Sequence, residues 1–111
     1  MPVLRKNESV SERVNPRLER RLVHLNDLMV VVCDFSDGPM PEPDKPHNHP
    51  HEQITYVESG ELYFFIGEEK YHLTAGDLVM IPSNAYHSIQ MLSSEVRLID
   101  TFSPIRKDFL K

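Results

Sequence analysis

Residues 47 to 60 read HNHPHEQITYVESG. Two histidines one residue apart, with a glutamine four positions beyond the second, have the composition of a metal site. Imidazole nitrogen is among the commonest protein ligands for divalent transition metals, and a glutamine carbonyl oxygen can complete such a shell without adding charge. Side chains alternate faces along a strand, so His47 and His49 point the same way, and Gln53 joins them if one strand keeps its register from 47 to 53. The plainer alternative is a polar, histidine-rich loop. His87 opens a row with Ile89 and Met91, where a histidine serves either as a satisfied core residue or as a ligand. Asp100 interrupts the apolar row of Val96, Leu98 and Phe102. An ionised carboxylate is costly to bury unless a cation, a metal or a donor compensates it, which makes Asp100 a functional candidate, with a salt bridge or turn contact as the structural alternative. His51 shares parity with His49 and Gln53 but falls between them and reads as a supporting or loop residue. Glu52 has the opposite parity and faces away, while His24 and His72 read as ordinary strand residues.

These side chains need strands to hold them. Gly38 to Pro46, GPMPEPDKP, carries four of the nine prolines and can be neither helix nor interior strand, so it reads as a loop that delivers the histidine segment. Before it, LVHLNDLMVVVCDF contains two short β-rich runs with Asn26-Asp27 as a plausible hairpin turn. After it come QITYVE, ELYFFIG, KYHL, DLVMIP, AYHSIQML and EVRLIDTF, separated by Gly60, Gly67, Ala75-Gly76-Asp77, Pro82-Ser83-Asn84 and Ser93-Ser94. Short, closely spaced strands without an amphipathic helix predict an all-β sandwich or barrel. Leu62, Phe64 and Ile66 form an inward row. The opposite row of Glu61, Tyr63 and Phe65, together with Ile54 and Tyr56, is too aromatic to be wholly solvated and predicts a homodimer interface, unless other segments of the subunit cover it. The run RLERR at 17 to 21 reads as a charged, alternating strand edge. Cys33 follows Val30, Val31 and Val32 and reads as a buried strand position rather than a reactive thiol.

A chain of 111 residues supports one core, so a single domain over 1–111 is expected, with an arm at 1–19, the barrel at 20–103 and a tail at 104–111. The formal charge of −5 argues against a nucleic-acid partner, whose phosphates demand clustered Lys and Arg. The first residues, MPVLRKNESVSERV, lack the apolar core of a signal peptide, and no stretch approaches the roughly 20 apolar residues that span a bilayer. No membrane partner and a soluble, cytoplasmic location are therefore expected.

The ordered pieces resemble the cupin superfamily. Its first motif is matched by His47, Asn48, His49, three residues, Gln53, six residues and Gly60, and its second by Gly76, five residues, Pro82, one residue, Asn84, two residues and His87. Gln53 stands where that pattern usually has Glu, and Asn84 where it has Gly. Asn tolerates a left-handed turn, whereas Gln leaves the site one charge less negative. The resemblance implies a small double-stranded β-helix, or jelly-roll, barrel holding one divalent transition metal through His47, His49, Gln53 and His87. Nickel, zinc, manganese, iron and copper all suit such ligands.

The run HPHEQITYVESGEL and the ending Asp100, Phe102, Ser103, Pro104 and Arg106 are similar, more narrowly, to the KdgF family of pectin-degradation cupins. That resemblance implies conversion of 4,5-unsaturated uronate monosaccharides from pectin or alginate to linear 5-keto-4-deoxyuronate. Asp100 would then handle protons, Phe102 would line the pocket and Arg106 would contact the acidic sugar, the alternative for Arg106 being a surface salt bridge to Asp108. Two other functions fit the residues, a metal-dependent dioxygenase and a non-catalytic sugar- or effector-binding protein.

Overall fold

Alternating apolar and polar residues make strands that bury one face, and such runs recur along the chain. The computed structural model describes residues 2–110. Its strands are β1 (Glu12–Asn15), β2 (Leu18–His24), β3 (Met29–Phe35), β4 (Glu52–Ser59), β5 (Glu61–Ile66), β6 (Glu69–Thr74), β7 (Leu78–Ile81), β8 (His87–Met91) and β9 (Val96–Ser103). Single 3-10 turns cover Lys6–Glu8 and Lys107–Phe109. One sheet has the order β1-β2-β3-β9-β4-β7 and the other β6-β5-β8, and neighbouring strands pair antiparallel. This is the all-β barrel expected from the strand pattern, in the jelly-roll form that the resemblance to cupins implied. The predicted hairpin is also present, since Leu25 donates its N–H to the Leu28 carbonyl at 2.8 Å across Asn26 and Asp27.

Inward rows from both sheets close the interior. Val31, Val57 and Leu98 from the larger sheet and Leu62, Phe64 and Met91 from the smaller are each no more than 3% exposed. Cys33 is buried among them. Two turns carry the chain through conformations that exclude most side chains. Gly60 has φ +94, and a Cβ placed there would lie 2.4 Å from the Glu95 carbonyl oxygen. Asn84 takes φ 67, the left-handed value that its side-chain type tolerates.

Two local expectations are corrected. The charged run at 17 to 21 is not at a sheet edge, because β1 pairs outside β2 through Glu12 with Arg20 and Arg13 with Glu19. The sheet thus starts within residues 1–19, the stretch read as an arm. The exposed aromatic patch is also not one surface, because β4 and β5 belong to different sheets. Tyr63 is covered within its own sheet, where Lys70 Nζ lies 3.9 Å from its ring centroid and His72, ion-paired with Glu61, packs beside it. Ile54 and Tyr56 instead face outward beside Met80 and Leu78, their register partners on β7.

Candidate metal centre and its cavity

The proline-rich segment delivers its histidine by running along the free edge of β8. Prolines cannot donate to a ladder, but the N–H groups of Met40, Asp44 and His47 donate to the carbonyls of Met91, Ile89 and His87 at 2.9, 2.9 and 3.0 Å. His87 returns a bond to the His47 carbonyl at 2.8 Å, so the two residues form an isolated antiparallel bridge. Beyond His47 the chain bends at Pro50 and His51, and β4 begins only at Glu52. The expected single strand from His47 to Gln53 is therefore corrected. Pro50 has no N–H for a ladder, and its carbonyl accepts the Ser83 hydroxyl at 2.6 Å, so His49 and Gln53 meet across a bend rather than along a pleat.

Three histidines converge from these elements. The ligand-capable nitrogens of His47, His49 and His87 lie within 4.8 Å of one another, positioned for a metal ion. His49 and His87 are buried, whereas His47 is open to the cavity mouth. Backbone carbonyls set two of the ring tautomers. Nδ1 of His49 lies 3.0 Å from the His51 oxygen and Nδ1 of His87 lies 2.9 Å from the Ala85 oxygen, so in each neutral ring Nδ1 carries the proton and Nε2 a bare lone pair. Nε2 of His87 is buried without a hydrogen-bond partner among the described residues. Nε2 of His49 faces Gln53 Oε1 at 3.1 Å, which sets one acceptor against another. Bare acceptors aimed at one point suit a cation, and three nitrogens with one amide oxygen suit a divalent transition metal.

Electrostatics keep those rings neutral. Burial pushes the pKa of His47 down, with further lowering by His49 and Arg106. Burial again leads for His49, followed by Arg106 and His87. For His87 burial outweighs the opposing bond to the Ala85 carbonyl. His51 stands beside this group, its ring centroid 5.4 Å from that of His49, and is not one of the three converging rings. Glu52 is exposed, and His24 and His72 lie away from the centre on exposed strand faces.

Two of the rings, His47 and His87, border a cavity of about 430 Å³ also lined by Gln53, Asp100, Phe102 and Arg106, a size suited to a small ligand. Asp100 borders this cavity while protein surrounds its carboxyl, and that desolvation pushes its pKa up against the lowering effect of hydrogen bonds from Thr55, Cys33 and Gln53 and of the Arg106 charge. The Thr55 hydroxyl donates to Oδ1 at 2.7 Å, and the Cys33 thiol approaches Oδ2 at 3.5 Å. Burial and the neighbouring Asp100 push the Cys33 pKa well up, so its sulfur stays a thiol and a poor nucleophile. Arg106 lines the cavity and forms the salt bridge to Asp108 that was the alternative for it, a two-bond pair at 2.7 and 3.1 Å.

Two cavity residues, Arg20 and Phe109, escaped the reading of the sequence, as did Thr55, which bonds Asp100 from behind the cavity wall. Thr55 is fully buried and shares β4 parity with Gln53, and that parity was the available signal. Arg20 lies between Leu18 and Leu22 on the inward row of β2, pairs with Glu12 at 2.8 Å and lines the cavity. Its isolation in that row was a usable signal too. Phe109 had none, since only the final 3-10 turn sets its ring against Phe102, with Arg20 and Arg106 at 3.8 and 4.3 Å from its centroid.

Comparison with known proteins places this geometry in context. The model of the cupin domain family matches residues 38–102. The pectin degradation protein KdgF of Dickeya dadantii (strain 3937) is 36% identical over 106 residues, which are 94% of this chain and 94% of that protein. The structure of KdgF from Halomonas sp. superposes with a TM-score of 0.85 at 34% identity, covering 95% of this chain and 94% of that one. An RmlC-like cupin from Shewanella frigidimarina superposes with a TM-score of 0.89 at 30% identity, over 99% and 96% of the two chains.

Proposed function

The chain belongs to the cupin domain family and, within it, to the KdgF family of pectin-degradation proteins, and from that premise we propose that it is a metal-dependent enzyme opening 4,5-unsaturated uronate monosaccharides to linear 5-keto-4-deoxyuronate. The observation that carries the reading is a desolvated carboxyl, Asp100, lining one cavity with Arg106 and with two of the three converging histidines, His47 and His87. His47, His49, Gln53 and His87 would hold the ion. A divalent metal there supplies Lewis-acid stabilisation of charge developing on oxygen, the stronger because all four ligands are neutral.

The reaction is an isomerisation that moves protons. The anomeric hydroxyl loses a proton, the bond from that carbon to the ring oxygen breaks, and the resulting enolate takes a proton on the former alkene carbon. No atom is gained or lost. Asp100 is the group assigned to proton transfer, because its raised pKa favours a carboxyl that can both accept and return a proton. Arg106 presents a planar fork to the sugar carboxylate, and its charge is held at the cavity wall by Asp108. Phe102, 2% exposed, forms an apolar wall against the His49 ring at 5.7 Å between centroids. Purified metal-loaded protein is expected to speed the loss of the ultraviolet absorbance of the unsaturated uronate, and chelation is expected to stop it. Metal-loaded protein with no turnover on pectin- or alginate-derived monomers would sink the assignment.

We also propose that the protein is a homodimer through the outer face of the larger sheet. Ile54, Tyr56, Leu78 and Met80 adjoin across β4 and β7 and are 51%, 39%, 63% and 75% exposed, an apolar surface that a second copy would cover. Light scattering should give twice the chain mass, and the double substitution Ile54→Lys with Met80→Lys should halve it. A monomeric wild type at micromolar concentration excludes the interface. No helix among the described residues is long and apolar enough to cross a membrane.

A further inference from the structure

A glutamine is an ambiguous ligand, because its carboxamide has an acceptor oxygen at one corner and a donor nitrogen at the other. Only the oxygen can bind a cation. In the metal-free protein the reversed orientation has an evident attraction, since Nε2 of Gln53 could then donate to the bare Nε2 of His49. The structure shows the opposite arrangement, with Oε1 3.1 Å from His49 and Nε2 2.9 Å from Thr55 Oγ1. A strand neighbour two residues along supplies the reason.

Thr55 has one hydroxyl proton and two nearby polar partners. That proton goes to Asp100 Oδ1 at 2.7 Å, and the Cys33 thiol points at the other carboxylate oxygen, so both neighbours treat Asp100 as an acceptor. The Thr55 oxygen then has only lone pairs to offer Gln53, and the carboxamide must present its N–H. Its Oε1 is thereby left on the side of His49. Thr55 is 0% exposed, so water cannot substitute as the donor or acceptor.

We propose that Thr55 is the positioning residue that orients Gln53 for metal binding, by committing its hydroxyl proton to Asp100 and so turning the carboxamide oxygen toward the histidines. The inference rests on reading Gln53 as a metal ligand and is independent of which sugar the cavity accepts. Three residues on two strands act as one unit. Asp100 on β9 lies opposite Thr55 in the register with β4, so the pairing of those strands builds the relay.

The test is zinc and nickel titration of purified protein against a competing chelator dye, which needs no turnover. Thr55→Val keeps the shape and removes the hydroxyl, and it is expected to weaken metal binding about 10- to 100-fold, the usual effect of losing a partner of a ligand. Thr55→Ser is expected to restore it. A carboxylate has two equivalent acceptor oxygens and needs no orientation, so in a Gln53→Glu background Thr55→Val should change affinity less than about threefold, in keeping with its loss of that requirement. Wild-type affinity in Thr55→Val, no rescue by Thr55→Ser, or an undiminished effect beside Gln53→Glu would each overturn the proposal. NMR of the metal-free proteins gives a second readout. The Gln53 carboxamide protons should contact the Thr55 side chain in wild type and turn toward His49 in Thr55→Val, whereas an unchanged orientation in that variant overturns the proposal even if uronate turnover is established.

Discussion

Asp100→Asn is expected to lower uronate turnover by roughly 100- to 10,000-fold, the range associated with loss of a positioned general acid or base, while leaving metal bound. Asparagine is nearly isosteric, and its oxygen can still accept the Thr55 hydroxyl that now lies 2.7 Å from Oδ1. The ability to exchange a proton is what disappears. Stability should move the other way. A carboxyl whose pKa is raised on folding contributes stability that is full below its unfolded value and is lost as pH rises through the folded value, so a neutral amide should raise the unfolding temperature near pH 7. Below about pH 3.9, where the unfolded carboxyl is itself protonated, that advantage should vanish. Calorimetry across pH, beside the absorbance assay, measures both. Turnover at the wild-type level would remove Asp100 from the mechanism.

His87→Ala is expected to have the second large effect, weakening zinc or nickel binding at least about 100-fold, beyond the usual loss from a ligand's partner. His87 supplies a buried Nε2 with no hydrogen-bond partner among the described residues, and the bridge between His87 and His47 fixes where those two imidazoles enter. Phe64 stacks on the His87 ring at 6.3 Å, so truncation also opens space in the core. His87→Gln fills more of that space and separates loss of a ligand from loss of packing. Affinity within a few-fold of wild type in both variants would exclude His87 from the metal shell. The wild-type protein should show the same dependence through pH. All three imidazoles have folded pKa values lowered by burial, so below about 6.5 the unfolded chain takes up protons that the folded chain resists. The metal-free protein should therefore be most stable above that pH and lose stability as pH falls through the lowered values. Bound metal should move this loss to lower pH, since protons must then displace it.

The reach of the sequence follows from the range of the physics behind each feature. Strand alternation is local, and it was enough to put Gln53, His87 and Asp100 on inward rows and to separate Glu52 from them. The motif glycine at 60 was legible because a positive φ and a nearby carbonyl leave no room for a Cβ. The single strand from His47 to Gln53 failed at Pro50, where parity kept its arithmetic but lost its ladder. Joining Tyr63 to Tyr56 failed for another reason, since sequence neighbours β4 and β5 turn into different sheets.

By itself, then, the sequence determined an all-β sandwich or barrel, a candidate histidine pair at 47 and 49 and an inward acid at residue 100, while the jelly-roll form and the joining of His87 to that pair came from the resemblance to the cupin superfamily. The strands, their inward rows and their turns are consequences of period-two alternation and turn chemistry read over a few residues. Tertiary structure alone decided which lone pairs are bare, because distant carbonyls and a bend assign the tautomers of His49 and His87. It also decided that β9 runs between β3 and β4, bringing Cys33 and Thr55 to opposite oxygens of Asp100. The approach of Arg20 and Arg106 to the Phe109 ring depends likewise on the final turn folding back over the cavity. Contacts between residues tens of positions apart depend on sheet order, and alternation within a strand carries no information about which strand will lie beside it.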